Sequence, residues 1–106
     1  IMEWVSIGKL SGFPEGKMKK VSVNGKDLLV ANISGKFYSI DDICTHEECS
    51  LADGFLGGDV VTCPCHLAQF NVKTGEVVQN PATGDKIADE QTFKVKVEND
   101  EVFVEL

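Results

Sequence analysis

Cys44-Thr-His46 and Cys63-Pro-Cys65-His66, separated by the insert Glu47 to Thr62, restrict this chain more than any other feature. All four cysteines and both histidines of the 106 residues fall in this one stretch, Cys49 being the sixth member. Thiolates and imidazoles are the side chains that bind borderline and soft metals. In a Cys-x-His step both side chains leave the same side of an extended or turning segment, so each cluster offers a sulfur and a nitrogen to a common point. Two chemistries meet that pattern. One is a tetrahedral zinc site of two cysteines and two histidines, whose spacings overlap loosely with these. The other is a 2Fe–2S cluster with two cysteines on one iron and two histidines on the other. A disulfide framework with surface histidines leaves the matched order of Cys and His in both clusters unexplained.

The remaining residues read as scaffold for two loops. Glu3 to Ile7 is an opening strand with Trp4 or Val5 inward, and Leu10 to Lys17 is a loop punctuated by Gly12, Pro14 and Gly16. Lys19 to Asn24 alternates and ends in Asn24-Gly25, a strong hairpin signal, with Leu28 to Ile33 returning. Ser34-Gly35 turns the chain into Phe37 to Ile40. Leu51 to Gly58, with three glycines among apolar residues, predicts a tight loop packed under the metal. Asp59 to Thr62 delivers Cys63, Gln69 to Val72 carries the chain away, and Lys73-Thr-Gly75 turns it into Glu76 to Val78. Phe93 to Val97 alternates with Phe93 and the valines on one face, and Asn99-Asp100 turns it into Val102 to Val104. No helical period lasts three turns, and Ala88 to Gln91 is too short to matter. The pattern predicts an all-β antiparallel sandwich or partly open barrel. Residues 1–106 make one domain, with a metal-binding subdomain of two hairpin loops inserted at about 41–84.

No apolar run has the length of a membrane span and no secretory leader is visible, so a soluble, cytoplasmic, monomeric protein is expected. Met2 reads as the natural start, with Ile1 an addition. A net charge of −7 argues against nucleic acid, whose phosphates select basic surfaces. Acidity suits docking to a basic patch on a redox partner, and it equally serves solubility.

From Trp4 to Val104 the chain resembles the soluble Rieske-type 2Fe–2S ferredoxins, archaeal ones in particular. The likeness rests on the two ligand clusters, on Gln69-Phe-Asn-Val-Lys-Thr-Gly-Glu76, which matches the strand and turn after the second Rieske loop, and on Asn80-Pro81-Ala82, which resembles the proline loop covering the cluster. The resemblance implies one 2Fe–2S cluster per chain. Cys44 and Cys63 would ligate the buried iron, and His46 and His66 the outer one, their second ring nitrogens facing solvent. Neutral imidazoles in place of two thiolates ease reduction, giving potentials of about −150 to +300 mV against roughly −400 mV for plant-type ferredoxins. Cys49 and Cys65 fall where Rieske proteins of the cytochrome bc complexes carry a disulfide, which implies a Cys49–Cys65 bridge; a reduced, buried pair is the alternative in a reducing cytosol. Glu47-Glu48 departs from the apolar tip with which the bc-type proteins approach a quinone site. Leu67-Ala68 stands where they have Gly-Ser, and Phe70 where they have tyrosine. These departures favour a soluble partner.

The function implied is one-electron transfer by a carrier that is not an enzyme. Its partners would be a ferredoxin reductase and an oxygenase or other acceptor, without nucleic acid or membrane. The alternatives are a small Rieske subunit of a nitrite reductase or arsenite oxidase and, further off, a zinc-stabilised interaction module. Ala68 and Phe70 also bear on the potential, because the serine and tyrosine they replace would donate hydroxyl hydrogen bonds to cluster or ligand sulfur. Such bonds stabilise the more negative, reduced form, by on the order of 1 kcal/mol of differential energy each, or tens of millivolts for one electron. A potential in the lower half of the Rieske range is therefore expected. Potentiometry should show Ala68→Ser and Phe70→Tyr each raising it and the double variant rising further; a bc-like high value in the unmodified protein contradicts the reasoning.

Overall fold

Leu28-Leu-Val-Ala carries apolar side chains at consecutive positions, and a strand of that composition has to be covered on both faces. The strand containing it, Lys26–Ile33, is the centre of the fold. The computed structural model describes residues 2–106, so Ile1 lies outside the described residues. The first strands are β1 (Trp4–Lys9), β2 (Met18–Val23), β3 (Lys26–Ile33) and β4 (Lys36–Asp41). The middle of the chain forms β5 (Phe55–Gly57), β6 (Val60–Thr62), β7 (Gln69–Asn71) and β8 (Val77–Gln79). Then follow β9 (Thr92–Phe93), β10 (Val95–Glu98) and β11 (Glu101–Glu105). They form three antiparallel sheets, ordered β1-β11-β10, β2-β3-β4-β9 and β5-β6-β7-β8. The molecule is all-β and its sheets are open rather than closed into a barrel.

Side-chain alternation along β3 divides the interior in two. Leu29 and Ala31 join Ile40, Leu51, Val61, Phe70 and Val72 in a core between the second and third sheets, which also holds Cys44 and Cys63. Val30 joins Phe13 and Val102 in a second core against the first sheet, edged by Ile7, Val21 and Phe37. The hairpins form where the turn residues place them. Asn24-Gly25, both with positive φ, closes β2 on β3 in the register Val23↔Lys26. Ser34-Gly35 and Asn99-Asp100 do the same for β3–β4 and β10–β11. Buried Asn32 ties one of these turns to the preceding loop, donating to the Phe13 carbonyl at 2.7 Å and accepting from the Gly35 N–H at 2.9 Å.

Of the two residues expected inward in β1 it is Val5 that is half-buried, while Trp4 lies on the exposed side, because the neighbouring sheet covers only the Val5 face. Two local expectations are corrected. Leu51 to Gly58 is not loop throughout: a 3₁₀ turn, Leu51–Asp53, buries Leu51, and β5 then pairs with β6 through Leu56↔Val61. The alternating run Phe93 to Val97 is split at Lys94. Phe93 pairs with Ser39 in the second sheet while Val95 pairs with Val104 in the first, as a strand does when it turns the corner between packed sheets. Among the described residues no helix is long and apolar enough to cross a membrane.

Residues 80–91 lack strands and are tied down at Gly75, whose carbonyl accepts the Glu90 N–H at 2.8 Å. Gly75 has φ +77°, and a Cβ there would meet the Glu90 carbonyl oxygen at 2.2 Å. Gly84 has φ +86° but open space around it. Gly75→Ala should therefore cost on the order of 3 kcal/mol in urea unfolding, and Gly84→Ala about 1 kcal/mol, the cost of a left-handed backbone alone. Equal losses would show that the close approach at Gly75 is not what fixes this segment.

Candidate metal centre

The two Cys/His loops leave the sheets at β4 and β6 and return without regular secondary structure, so their backbone groups must find partners individually. In the first loop the Cys44 N–H donates to the Cys49 carbonyl at 2.9 Å, and Ile43 and Ser50 form an isolated antiparallel bridge. Fully buried Asp42 clasps the far end, accepting from the Ser50 hydroxyl at 2.6 Å and the Ala52 N–H at 2.9 Å. Thr45, between the two ligand candidates, is held from the 88–90 segment: its hydroxyl donates to the Ala88 carbonyl at 2.6 Å and its N–H to Glu90 Oε2 at 3.0 Å. In the second loop the Cys63 N–H donates to the Ala68 carbonyl at 2.8 Å, and Leu67 turns the chain with φ +64°. The segment after Pro81 lies on this loop, the Ala82 N–H donating to the His66 carbonyl at 2.7 Å. A Cys49–Cys65 disulfide, Cα–Cα 6.5 Å, joins the two loops.

Cys44 and Cys63 remain as free thiols, 4% and 2% exposed. Burial pushes the Cys44 thiol up, and the adjacent Cys63 thiol adds to this, while the N–H groups of His46 and Glu47 pull the other way. A thiolate in such a place needs nearby positive charge, which a metal supplies. The histidines form the outer layer. Their rings stack edge to face at 5.0 Å between centroids, with side chains 11% exposed for His46 and 35% for His66. His66 Nδ1 is buried without a hydrogen-bond partner; the nearest carboxylate, Glu47 Oε2, stands 3.6 Å away. His46 presents Nε2 to Asp85 Oδ2 at 2.9 Å, which leaves its Nδ1 free. Two buried thiols, two imidazoles on their outer side and an orphaned ring nitrogen are a donor set of two sulfurs and two nitrogens, and they fit the 2Fe–2S group. The disulfide withdraws the other two sulfurs from ligation. Ala68 and Phe70 are both buried in the core that contains the thiols, so neither position offers a side-chain hydroxyl there.

Sequence patterns did not single out Asp42, Thr83, Asp85 or Glu90. Thr83, Asp85 and Glu90 act on the loops across a gap in sequence, Asp85 at 39 and Glu90 at 45 residues from its partner, so periodicity carries no trace of them. Asp42, next to the first loop, carried the one local signal: an acidic residue closing a strand ahead of unpaired N–H groups.

Compared with known proteins, residues 3–103 match the Rieske [2Fe-2S] domain family. The ferredoxin component of the naphthalene 1,2-dioxygenase/salicylate 5-hydroxylase systems of a Ralstonia species is 36% identical over 103 residues, covering 97% of this chain and 95% of that protein. The ferredoxin component of the biphenyl 2,3-dioxygenase of Rhodococcus jostii is 37% identical over 91 residues, 86% of this chain and 81% of that one. Among solved structures, a chain in a complex of reduced oxygenase and oxidized ferredoxin of carbazole 1,9a-dioxygenase superposes with TM-score 0.86 at 34% identity, over 95% of this chain and 91% of that one.

Glu90, buried behind the first loop, gives the site a pH dependence of folding. Burial pushes its carboxyl from 4.5 up to about 8; the Thr45 N–H opposes this and the charges of Asp41 and Asp42 add to it. Between those two values the folded chain holds a proton that the unfolded chain has released, so stability falls as pH rises. The contribution is complete below about 4.5 and lost past 8. Glu90→Gln cannot ionise and keeps an oxygen for the Thr45 N–H. Denaturation should find the two proteins within about 0.5 kcal/mol at pH 5 and the variant more stable by on the order of 2–4 kcal/mol at pH 9. Parallel stability curves would mean that Glu90 is not a buried, neutral acid.

Proposed function

Because this chain belongs to the Rieske [2Fe-2S] domain family, we propose that Cys44, His46, Cys63 and His66 hold its one cluster and that the cluster serves transfer of single electrons to an oxygenase. The protein is a Rieske-type ferredoxin, an electron carrier rather than an enzyme. When bound, the 2Fe–2S group supplies the one-electron couple. The chain's own residues do the rest. Cys44 and Cys63 provide thiolates inside the core, where water is excluded. His46 and His66 provide neutral nitrogens on the outer side, which keeps the net charge of the site low and places its exposed edge at the imidazoles. The disulfide and the 80–86 segment hold the loops together without donating ligands. Residues 41–84 act as the cluster-binding unit of a single domain, working in the cytoplasm between a reductase and the acceptor.

The observation that carries this reading is the division of the cysteines: two buried and free, two tied to each other across the loops. The purified protein should be red-brown, with about two irons and two acid-labile sulfides per chain. Cys44→Ser and Cys63→Ser should lose the colour and much of the stability, since ligation and folding are linked. Cys49→Ser and Cys65→Ser should keep a cluster that bleaches faster on heating, the bridge being worth about 3 kcal/mol for a loop of this size. Stoichiometric zinc in a colourless protein, or complete loss of iron in either of the last two variants, would be incompatible with the assignment.

A further inference from the structure

We propose that Asp85 is a positioning residue for His46: its carboxylate takes up the outer ring nitrogen of that ligand alone, so that the two histidines of the centre are electronically and sterically unequal. The inference rests on the reading of both histidines as cluster ligands. Asp85 Oδ2 lies 2.9 Å from His46 Nε2. The Thr83 hydroxyl donates to the same oxygen at 2.8 Å and itself stands 3.5 Å from Nε2. The Asp85 N–H lies 3.4 Å from the Thr83 hydroxyl oxygen. Thr83 and Asp85 thus form a small loop-borne clamp, carried by the segment that the Ala82 N–H fastens to the His66 carbonyl. At His66 the neighbouring carboxylate is Glu47 Oε2, 3.6 Å from Nδ1 and beyond hydrogen-bond distance, so among the described residues only His46 has a carboxylate hydrogen-bonded to its ring; the His66 ring is also the more exposed of the two.

Three consequences follow from ordinary chemistry. A carboxylate accepting from Nε2–H fixes the tautomer in which Nδ1 is the free lone pair, and it makes that nitrogen a stronger donor to a metal. A negative charge beside one ligand disfavours adding an electron, so it lowers the potential. And with His46 occupied, the ring edge left for an incoming protein is that of His66, flanked by exposed Leu67.

The test uses the cluster-loaded protein with Asp85→Ala, Asp85→Asn and Thr83→Val, potentials being measured at one pH and ionic strength. Asp85 is 63% exposed on a surface loop, so these variants should melt within a few degrees of the parent. Asp85→Ala should raise the potential; Asp85→Asn, which keeps an acceptor and loses the charge, should raise it less, and Thr83→Val less again. In parallel, brief treatment of the oxidised proteins with diethyl pyrocarbonate and peptide mapping should find His66 modified several-fold faster than His46 in the parent, with His46 labelled several-fold faster in Asp85→Ala than in the parent. Iron-loaded Asp85→Ala with an unchanged or lowered potential, or equal labelling of both histidines in the parent, would overturn the clamp and leave the ligand assignment standing. A parent protein that binds no iron would overturn both.

Discussion

Two thiols taken almost completely out of water set the terms for the rest of this molecule. A buried thiolate has neither solvent nor a side-chain hydroxyl to support it, and burial alone drives Cys44 toward its neutral form. The site can be negative only when a positive group sits against it and when the surrounding backbone is locked so that water cannot enter. The loops are accordingly closed by devices that are not ligands. Asp42 and Glu90 take up N–H groups that no sheet satisfies, the Ile43–Ser50 bridge closes the first loop, and the disulfide fastens it to the second. Each device spends a polar group or a covalent bond on shape alone.

This places the centre inside the fold's own core. Leu29 and Ala31 of β3 touch the same apolar cluster as Cys44 and Cys63, and Phe70 and Val61 complete it from the third sheet. The opposite face of β3 holds the first sheet through Val30. One strand therefore transmits any loosening of the metal loops to both cores, which is a structural basis for coupling between ligation and folding. The imidazoles lie outside this layer, so the surface offered to a partner is built from ring edges and exposed acids rather than from the parts that hold the chain together.

What could be read in the residues were the features whose cause is local. Cys and His clusters announce themselves by type and spacing, and Asn24-Gly25 and Asn99-Asp100 impose turns by their tolerance of positive φ. The all-β architecture followed from strand-length alternation between such turns. Features decided by distant neighbours could not be read. Phe93 to Val97 looks like one strand because its alternation is unbroken; only the positions of Ser39 and Val104 in separate sheets divide it at Lys94. Phe55-Leu56-Gly57 has too few residues to show a period, and it becomes a strand because β6 is beside it. The clamp of Asp85 is a contact of side chains across loops, which no short-range pattern encodes.

With Cys44, His46, Cys63 and His66 as the proposed ligands, the centre's potential would be shaped from two directions. Inside, Ala68 and Phe70 remove side-chain donors, so support for the sulfurs comes from the backbone, as with the His46 and Glu47 N–H groups at Cys44. Outside, Asp85 stands at His46 and Glu47 close to His66. Missing donors within and carboxylates without act in the same sense, each making the added electron less welcome. The outer contribution differs in one respect, since Asp85 is exposed and its charge is screened by water and salt. A protein that docks over the imidazoles expels that water, and the same charge at the same distance then interacts more strongly. On the proposed clamp, docking itself lowers the potential of the reduced carrier and makes it a better donor at the moment of contact. A surface carboxylate can supply that response because its surroundings change on binding; a hydroxyl sealed in the core beside the thiols would hold the potential fixed in both states.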